Sequence, residues 1–201
     1  MNDSQFIVCI GREYGSGGHE IARLLALRLG VVLYDHNILE ELAIEKGVTP
    51  EALRKYDEKP HKLFVSRSAN GYHSSPEINI AYMQFDYLKK KAEEGGSFVV
   101  VGRCAEGIFE NHPGMISIFI SGNQETKCQR IMELYQLDRE DALEEMKRHD
   151  DYRKRYHNNF CEDEWGDAHT YDLCINSSLL GISETVELLE TYIRTRMRIS
   201  V

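Results

Sequence analysis

The sequence lacks the features that mark membrane, secreted or metal-binding proteins. No apolar run reaches the length of about 18 residues that a membrane span needs. The five cysteines include no C-x-x-C pair, and the eight histidines include no H-E-x-x-H or similar ligand spacing. We therefore expect no metal site built by protein ligands, and a reducing, cytoplasmic setting for the thiols, with Cys9 and Cys174 buried in apolar runs. The first residues lack a basic region, so we also expect no signal peptide.

Positive charge is also scarce, with 24 Lys and Arg against 33 Asp and Glu and a net charge of −9. This balance argues against a general nucleic-acid surface, so an anionic ligand would need a local basic cluster. Residues 147–155 form such a cluster, with five basic residues in nine. The same segment could instead be a solvated helix end, because basic side chains there interact favourably with the helix dipole.

Short apolar runs that alternate with helical patterns predict an α/β fold. A chain of 201 residues is long enough for one compact domain, and the sequence contains no internal repeats or low-complexity tracts. We expect a doubly wound, five-stranded parallel sheet, with ligands bound beyond the carboxyl ends of its strands. The strand-forming runs are 6–10, 31–34, 98–101, 115–120 and 171–176.

Helical periodicity predicts further elements in the second half of the chain. A helix is expected over 123–135, with Ile131 and Leu134 facing inward, and another over 138–148. Residues 57–77 are the least regular part of the sequence, and we interpret them as a mobile connection.

Residues 6–30 predict a strand, a glycine-rich turn and a helix, which is the layout of a phosphate cradle. Glycines allow successive backbone N–H groups to point into one concavity, and the helix N-terminus adds about half a positive charge. A standard phosphate loop reads G-x-x-x-x-G-K-[ST]. With Gly17 on the second glycine, Arg12, Gly18 and His19 fall on the first glycine, the lysine and the Ser/Thr. The loop therefore lacks the two side chains that usually contact phosphate and magnesium.

Several motifs in order along the chain resemble the cytidylate kinase-like family of P-loop proteins. They are G-R-E-Y-G-S-G-G at 11–18, L-Y-D at 33–35, V-G-R at 101–103, R-x-D-x-x-R at 148–153 and the segment 165–176. The resemblance implies a P-loop kinase-type three-layer fold. Its core would be 1–46, 95–146 and 171–201, with a helical monophosphate-binding insert at about 47–94 and an arginine-rich lid at about 147–170.

The resemblance also implies a reaction and a set of site residues. The reaction would transfer the γ-phosphoryl group of ATP to CMP or dCMP, with Mg²⁺ held mainly by phosphates and water. Charge that Gly18 cannot supply could come from Arg12 and from the lid. The implied roles are donor phosphate binding by Gly15, Ser16, Gly17, Gly18 and His19, acceptor binding by Asp35 and Arg103, and closure over the transferring group by Arg148, Asp150 and Arg153.

Other interpretations stay open at this point. Asp35 could only cap the next helix, His19 could cap or face solvent, and Arg103 could pair with Glu106. The missing lysine leaves open a weak or inactive nucleotide-binding protein, and the irregular insert leaves open a kinase for another small phosphorylated acceptor. The expected partners are small-molecule nucleotides, with no nucleic acid and no membrane, and a homo-oligomer is left open.

Overall fold

A computed structural model of the chain describes residues 5–54, 68–69, 72–73 and 76–199. Its centre is a five-stranded sheet in which every neighbouring pair is parallel, as the sequence predicts. The strand order is β2-β5-β1-β6-β7, so the strand that leads into the glycine loop occupies the middle. The strands are β1 (Ile7–Arg12), β2 (Val32–Tyr34), β5 (Phe98–Val101), β6 (Met115–Ser121) and β7 (Leu173–Asn176).

Helices cover both faces of this sheet and complete three layers. A short antiparallel pair, β3 (Ser68–Ala69) with β4 (Tyr72–His73), lies outside it. The remainder of the segment predicted as a mobile connection, up to the start of α4, lies outside the described residues. The helices are α1 (Gly18–Leu29), α2 (Asn37–Lys46), α3 (Pro50–Arg54), α4 (Pro76–Glu93), α5 (Ala105–Ile108), α6 (Gln124–Tyr135), α7 (Arg139–Phe160) and α8 (Ser177–Ile199).

Strand β1 is buried on both faces and therefore serves two cores. Val8 and Ile10 pack with α1 and α8, whereas Ile7 and Cys9 pack with α2, α4 and α5. Successive side chains of a strand point to opposite faces, which explains why this strand reads as a continuous apolar run. Cys9 is buried, as expected. The layers hold the carboxyl end of β1 rigidly at the centre of the sheet edge.

Three expectations for the second half of the chain are wrong. Helix α7 begins where predicted, with the Asp138 carboxylate accepting from the Asp141 N–H at 3.0 Å, but it continues to Phe160. The basic cluster 147–155 therefore lies inside a helix and not at its end. Leu134 is 66% exposed because α6 packs through Cys128 and Ile131. Cys174 is exposed because β7 is the edge strand of the sheet.

Among the described residues, none of the helices combines the length and the apolar composition that a membrane span needs. The division of the chain into core, insert and lid stays a prediction.

Candidate active site

The loop between β1 and α1 has the geometry of a phosphate cradle. Gly15 and Gly17 adopt positive φ angles of 81° and 78°, where residues with a Cβ are strained. A Cβ at Gly17 would also collide with Arg130 Nη1 and Ile182 Cδ1. The backbone at Gly17 is therefore closely covered, and only glycine fits there without rearrangement.

Ser16 stabilises the turn of this loop through hydrogen bonds on its buried side. Its hydroxyl donates to the Glu13 carbonyl oxygen at 2.8 Å and accepts from the Gly18 N–H at 3.3 Å. Its own carbonyl oxygen accepts from Ser177 Oγ at 2.6 Å. The side chain is buried, so it holds the turn and does not face the solvent-filled space above it.

A cleft of about 480 Å³ opens above the loop, a volume typical of small-molecule sites. Two lining residues that the sequence did not single out are His36 and Arg130. Arg130 extends from α6 so that its guanidinium lies over Gly17, beside the N-terminus of α1. A cation and a helix N-terminus together attract an anion, so this cleft suits phosphate groups. The predicted residues that line it are Arg12, Gly15, Gly17, Gly18, His19 and Arg153.

A lysine also lies under the loop, but an ion pair holds it away from the cleft. Lys127 Nζ is 2.8 Å from Glu13 Oε2, and the same oxygen accepts from the Gly122 N–H at 3.0 Å. Lys127 is buried, and its backbone and Cβ pack against Gly15. This ammonium group therefore supports the loop and does not replace the lysine of a standard phosphate loop.

Helix α7 is attached to the loop by its polar side chains. The Asp150 carboxylate accepts from the Tyr14 N–H at 2.7 Å, and burial raises the pKa of this carboxyl group. Arg153 Nη1 donates to the Arg12 carbonyl oxygen at 3.3 Å, and its guanidinium lies 5.4 Å from the Tyr14 ring centroid. Arg148 is exposed and pairs with Glu145, away from the cleft. Of the three residues in the predicted R-x-D-x-x-R motif, Asp150 and Arg153 therefore contact the loop, whereas Arg148 faces solvent.

A second cavity, of about 20 Å³, lies on the other side of Arg12 and Arg153. Arg103 is 4% exposed there and has a φ of 61°, in the left-handed region that side chains rarely adopt. This cavity holds little more than one water. It is lined by Gly11, Arg12, Gly102, Arg103, Cys104, Glu106, Arg153, Tyr156, His157 and Trp165. Arg12 and Arg153 are thus shared by the cleft and this cavity.

Glu106 and His157 form a charged pair in the wall of the second cavity. His157 Nε2 lies 3.0 Å from Glu106 Oε1, and Tyr171 Oη donates to the same oxygen at 3.1 Å. Burial alone would lower the pKa of His157, but Cys161 and Glu106 raise it to about 10. Burial and Glu106 raise the pKa of Tyr171. Cys161 and Glu106 therefore favour the imidazolium form of His157.

Asp35, directly after β2, contacts His19 and also accepts a hydrogen bond from the first N–H of α2. His19 Nε2 lies 2.6 Å from Asp35 Oδ2, while Asp35 Oδ1 accepts from the Asn37 N–H at 2.9 Å. Burial alone would raise the pKa of Asp35. The hydrogen bonds with His19 and Asn37 lower it by more than burial raises it, so the net pKa lies below its ordinary value. With His36, these residues form a group whose ligand atoms all lie within 4.8 Å of one another. Sequence spacing did not predict this candidate cation site, because its members come from the start of α1 and the end of β2.

The central strand, glycine cradle and flanking helices define a P-loop kinase-type fold. Shikimate kinase from Bacteroides thetaiotaomicron has this fold and matches with a TM-score of 0.56, covering 94% of this chain and 98% of that one, at 11% identity. The sequence profile of the cytidylate kinase-like family matches residues 7–179. The chain belongs to the cytidylate kinase-like family.

Two further relatives extend over nearly the whole chain. A cytidylate kinase from Pyrobaculum islandicum is 24% identical over 190 residues, which cover 94% of this chain and 93% of the relative. The structure of an uncharacterized protein from Eubacterium ventriosum is 38% identical, with a TM-score of 0.76 and coverage of 95% and 99%.

Proposed function

We propose that this protein is a nucleotide kinase that transfers the γ-phosphoryl group of ATP to CMP or dCMP. One observation carries the proposal: Arg12 and Arg153 line both the phosphate-loop cleft and the cavity that contains Arg103. In phosphoryl transfer, catalysis consists almost entirely of positioning and charge neutralisation between donor and acceptor. Two arginines between two adjacent sites supply that neutralisation. The relative named cytidylate kinase supports the choice of acceptor.

The donor side has the features that a nucleoside triphosphate requires. The glycine cradle offers backbone N–H groups, and Arg130 lies over it in place of a loop lysine. Bound ATP would supply the phosphoryl group, with Mg²⁺ neutralising charge on the phosphates. His19 and His36 line the cleft, and Asp35 contacts His19 beside it. Because Mg²⁺ prefers oxygen ligands, the Asp35 carboxylate is the group of this cluster that could contact it, directly or through water.

The acceptor side is closed in this conformation. A cavity of about 20 Å³ cannot hold a nucleotide, so binding requires displacement of the α7 side chains that cover Arg103. Arg103, buried at the carboxyl end of β5, then presents a guanidinium to the acceptor phosphate or base. Opening of this cavity would separate Arg153 from Arg12, and closure would return both to the transferring group.

A second candidate function is nucleotide binding without phosphoryl transfer. It is favoured by one observation: the buried ammonium nearest the loop is neutralised by Glu13. A third candidate is a kinase for another small phosphorylated acceptor, because a cavity of about 20 Å³ beside Arg103 selects for no particular base.

A product assay separates these functions. Purified protein is incubated with Mg²⁺ and γ-labelled ATP, alone and with CMP, dCMP, UMP, AMP or GMP, and labelled products are resolved. We expect labelled CDP or dCDP above the acceptor-free blank. Label in another product would favour the third function. No transfer to any acceptor, together with calorimetric ATP binding, would favour the second.

A further inference from the structure

The end of α7 carries a thiol that the phosphotransfer site does not use. Cys161 is the residue that caps α7, and it is partly buried. Cys104 and Cys161 pack in one apolar cluster with Ala81, Phe85 and Tyr156, and His157 lies one helical turn before Cys161. Gly107 makes room for this sulfur, because a Cβ there would lie 2.9 Å from Cys161 Sγ. Two thiols from distant parts of the chain therefore meet beside an imidazole.

The charges around Cys161 favour its thiolate. The Cys104 hydrogen bond lowers the pKa of Cys161, burial raises it, and His157 lowers it, with a net value of about 6. The charged group that opposes ionisation is the Glu106 carboxylate. His157 lies 3.0 Å from Glu106, and this contact holds the imidazolium in place. Thiolates of this kind are the nucleophilic form of cysteine, and partial exposure admits small reagents.

The other cysteines lack this environment. Cys9 is fully buried, and burial followed by Glu106 raises its pKa. Cys128 is buried and contacts the Arg139 carbonyl oxygen. Cys174 is an exposed residue. Partial burial of its thiol, followed by the nearby Asp167 carboxylate, raises its pKa. Cys104 itself is 4% exposed, so it reaches an oxidant less readily than its partner does.

We propose that Cys161 is a modification site for peroxides and that Cys104 resolves the oxidised form into an intramolecular disulfide. In the first step, the Cys161 thiolate attacks one oxygen of hydrogen peroxide. The S–O bond forms, the O–O bond breaks, and the cysteine becomes a sulfenic acid with release of hydroxide, which is protonated to water. In the second step, the Cys104 thiolate attacks the sulfenic sulfur, the S–S bond forms and hydroxide leaves. The two cysteines lose two electrons and the peroxide gains them.

This disulfide would join two elements that border the acceptor cavity. Cys104 directly follows Arg103 at the end of β5, and Cys161 ends the helix that carries Arg153. Both Cys104 and His157 line the cavity. A covalent link there would hold α7 against the Arg103 loop and oppose the opening that an acceptor nucleotide needs. This consequence rests on the proposed function, whereas disulfide formation itself does not.

The test begins with reduced, full-length protein treated with equimolar hydrogen peroxide and digested without reductant. We expect mass spectrometry to find the Cys104–Cys161 peptide, and thiol titration to fall by two. Cys161→Ser should abolish this product, and Cys104→Ser should leave a sulfenic acid that dimedone traps at Cys161. Cys174→Ser is the matched control and should behave as wild type. Oxidation at Cys174, a disulfide between chains, or unchanged oxidation in Cys161→Ser would each overturn the proposal.

The rate at which iodoacetamide alkylates Cys161, and its dependence on pH, test the reactivity of this thiol directly. A cysteine with only a packing role would not show this pH dependence. At pH 6, iodoacetamide should modify Cys161 about tenfold faster than Cys174, after allowing for the weaker nucleophilicity of a low-pKa thiolate. The rate for Cys161 should rise with a midpoint near pH 6, and His157→Gln should move that midpoint upward. Equal rates at the two cysteines, or an unmoved midpoint in a folded His157→Gln variant, would contradict the assignment.

The kinase assay is run separately on oxidised and reduced protein. If the proposed function holds, CMP-dependent turnover should fall at least tenfold on oxidation and return with dithiothreitol. Absence of turnover in both states would count against the proposed function, while the disulfide peptide would still decide the thiol assignment. Equal turnover in both states would overturn the link between the disulfide and cavity opening.

Discussion

Arg153 Nη1 donates a hydrogen bond to the carbonyl oxygen of Arg12, which joins the middle of α7 to the phosphate loop at 3.3 Å. The two residues are 141 positions apart in the sequence. The contact brings two guanidinium-bearing residues to the boundary between the cleft and the second cavity. It explains how a loop with glycine in place of lysine can still lie beside positive charge.

The first prediction concerns Arg153. Arg153→Ala removes a cation that lines both the cleft and the second cavity. Under the proposed function, CMP-dependent ADP formation should therefore fall by roughly 10²–10³-fold. Steady-state kinetics with Mg-ATP and CMP measure the change. The loss should appear chiefly in kcat, because the interaction strengthens in the transition state.

Arg23 offers a matched control, since it is an exposed arginine on the outer face of α1. Arg23→Ala should keep the wild-type kcat within about twofold. Equal losses in the two variants would show that lost charge in general, and not the position of Arg153, limits the rate.

The second prediction concerns the close packing of Arg130 and Ile182 over Gly17 in the phosphate loop. Gly17→Ala places a Cβ against Arg130 and Ile182 at a φ of 78°, so the loop must shift. We expect at least a tenfold weaker affinity for ATP, measured by calorimetry, with a small change in the thermal unfolding midpoint. Gly96→Ala is the control, because no atom lies within 4 Å of its added Cβ. Unaltered ATP affinity in Gly17→Ala would place the triphosphate elsewhere.

The third prediction concerns the buried ion pair of Lys127 and Glu13. Lys127→Met leaves the Glu13 carboxylate without its cation, and we expect a loss of about 3 kcal/mol in the free energy of unfolding. Urea denaturation measures it. Adding Glu13→Gln to Lys127→Met should recover part of the loss, because the neutral amide no longer needs a cation. A double variant less stable than the single one would contradict a structural role for the pair.

The fourth prediction is a pH dependence at Asp35. The net pKa of Asp35 is lowered below its ordinary 3.8, so its contribution to stability is present above that value and is lost as the pH falls through the folded-state pKa. His19→Ala removes the hydrogen bond that opposes burial, so the stability difference between wild type and variant should shrink between about pH 5 and about pH 3. Urea unfolding at both pH values measures it. In an Asp35→Asn background, His19→Ala should show no such trend.

Much of the architecture could be predicted from apolar patterning. Strands such as 98–101 are wholly apolar because both faces are covered, and Gly47 marks the end of α2 through its positive φ of 65°. The length of α7 could not be predicted in this way. Its residues beyond Arg148 are mostly polar, and this part of the helix is buried only at Tyr156 and His157. Charge runs carry no period that distinguishes a helix interior from its end.

The site was harder to predict than the fold, because its most informative residues reach it through tertiary contacts. Lys127 and Arg130 lie three residues apart on α6, a spacing that places them on one helix face, but nothing local indicates that this face meets the glycine loop. The His157–Glu106 pair joins α7 to α5 and has no signature in either segment. Conversely, Arg148 fits the family motif, and its place in catalysis stays a prediction.

The most direct test of the central claim is a crystal structure with Mg-ADP, aluminium fluoride and CMP, which together mimic the transferring phosphoryl group between donor and acceptor. Our account predicts guanidinium nitrogens of Arg12 and Arg153 within about 3 Å of the fluoride ligands, the ADP phosphates on the 15–18 loop, and Arg103 on the CMP side. A complex in which neither arginine contacts the aluminium fluoride, or in which CMP binds away from Arg103, would contradict it.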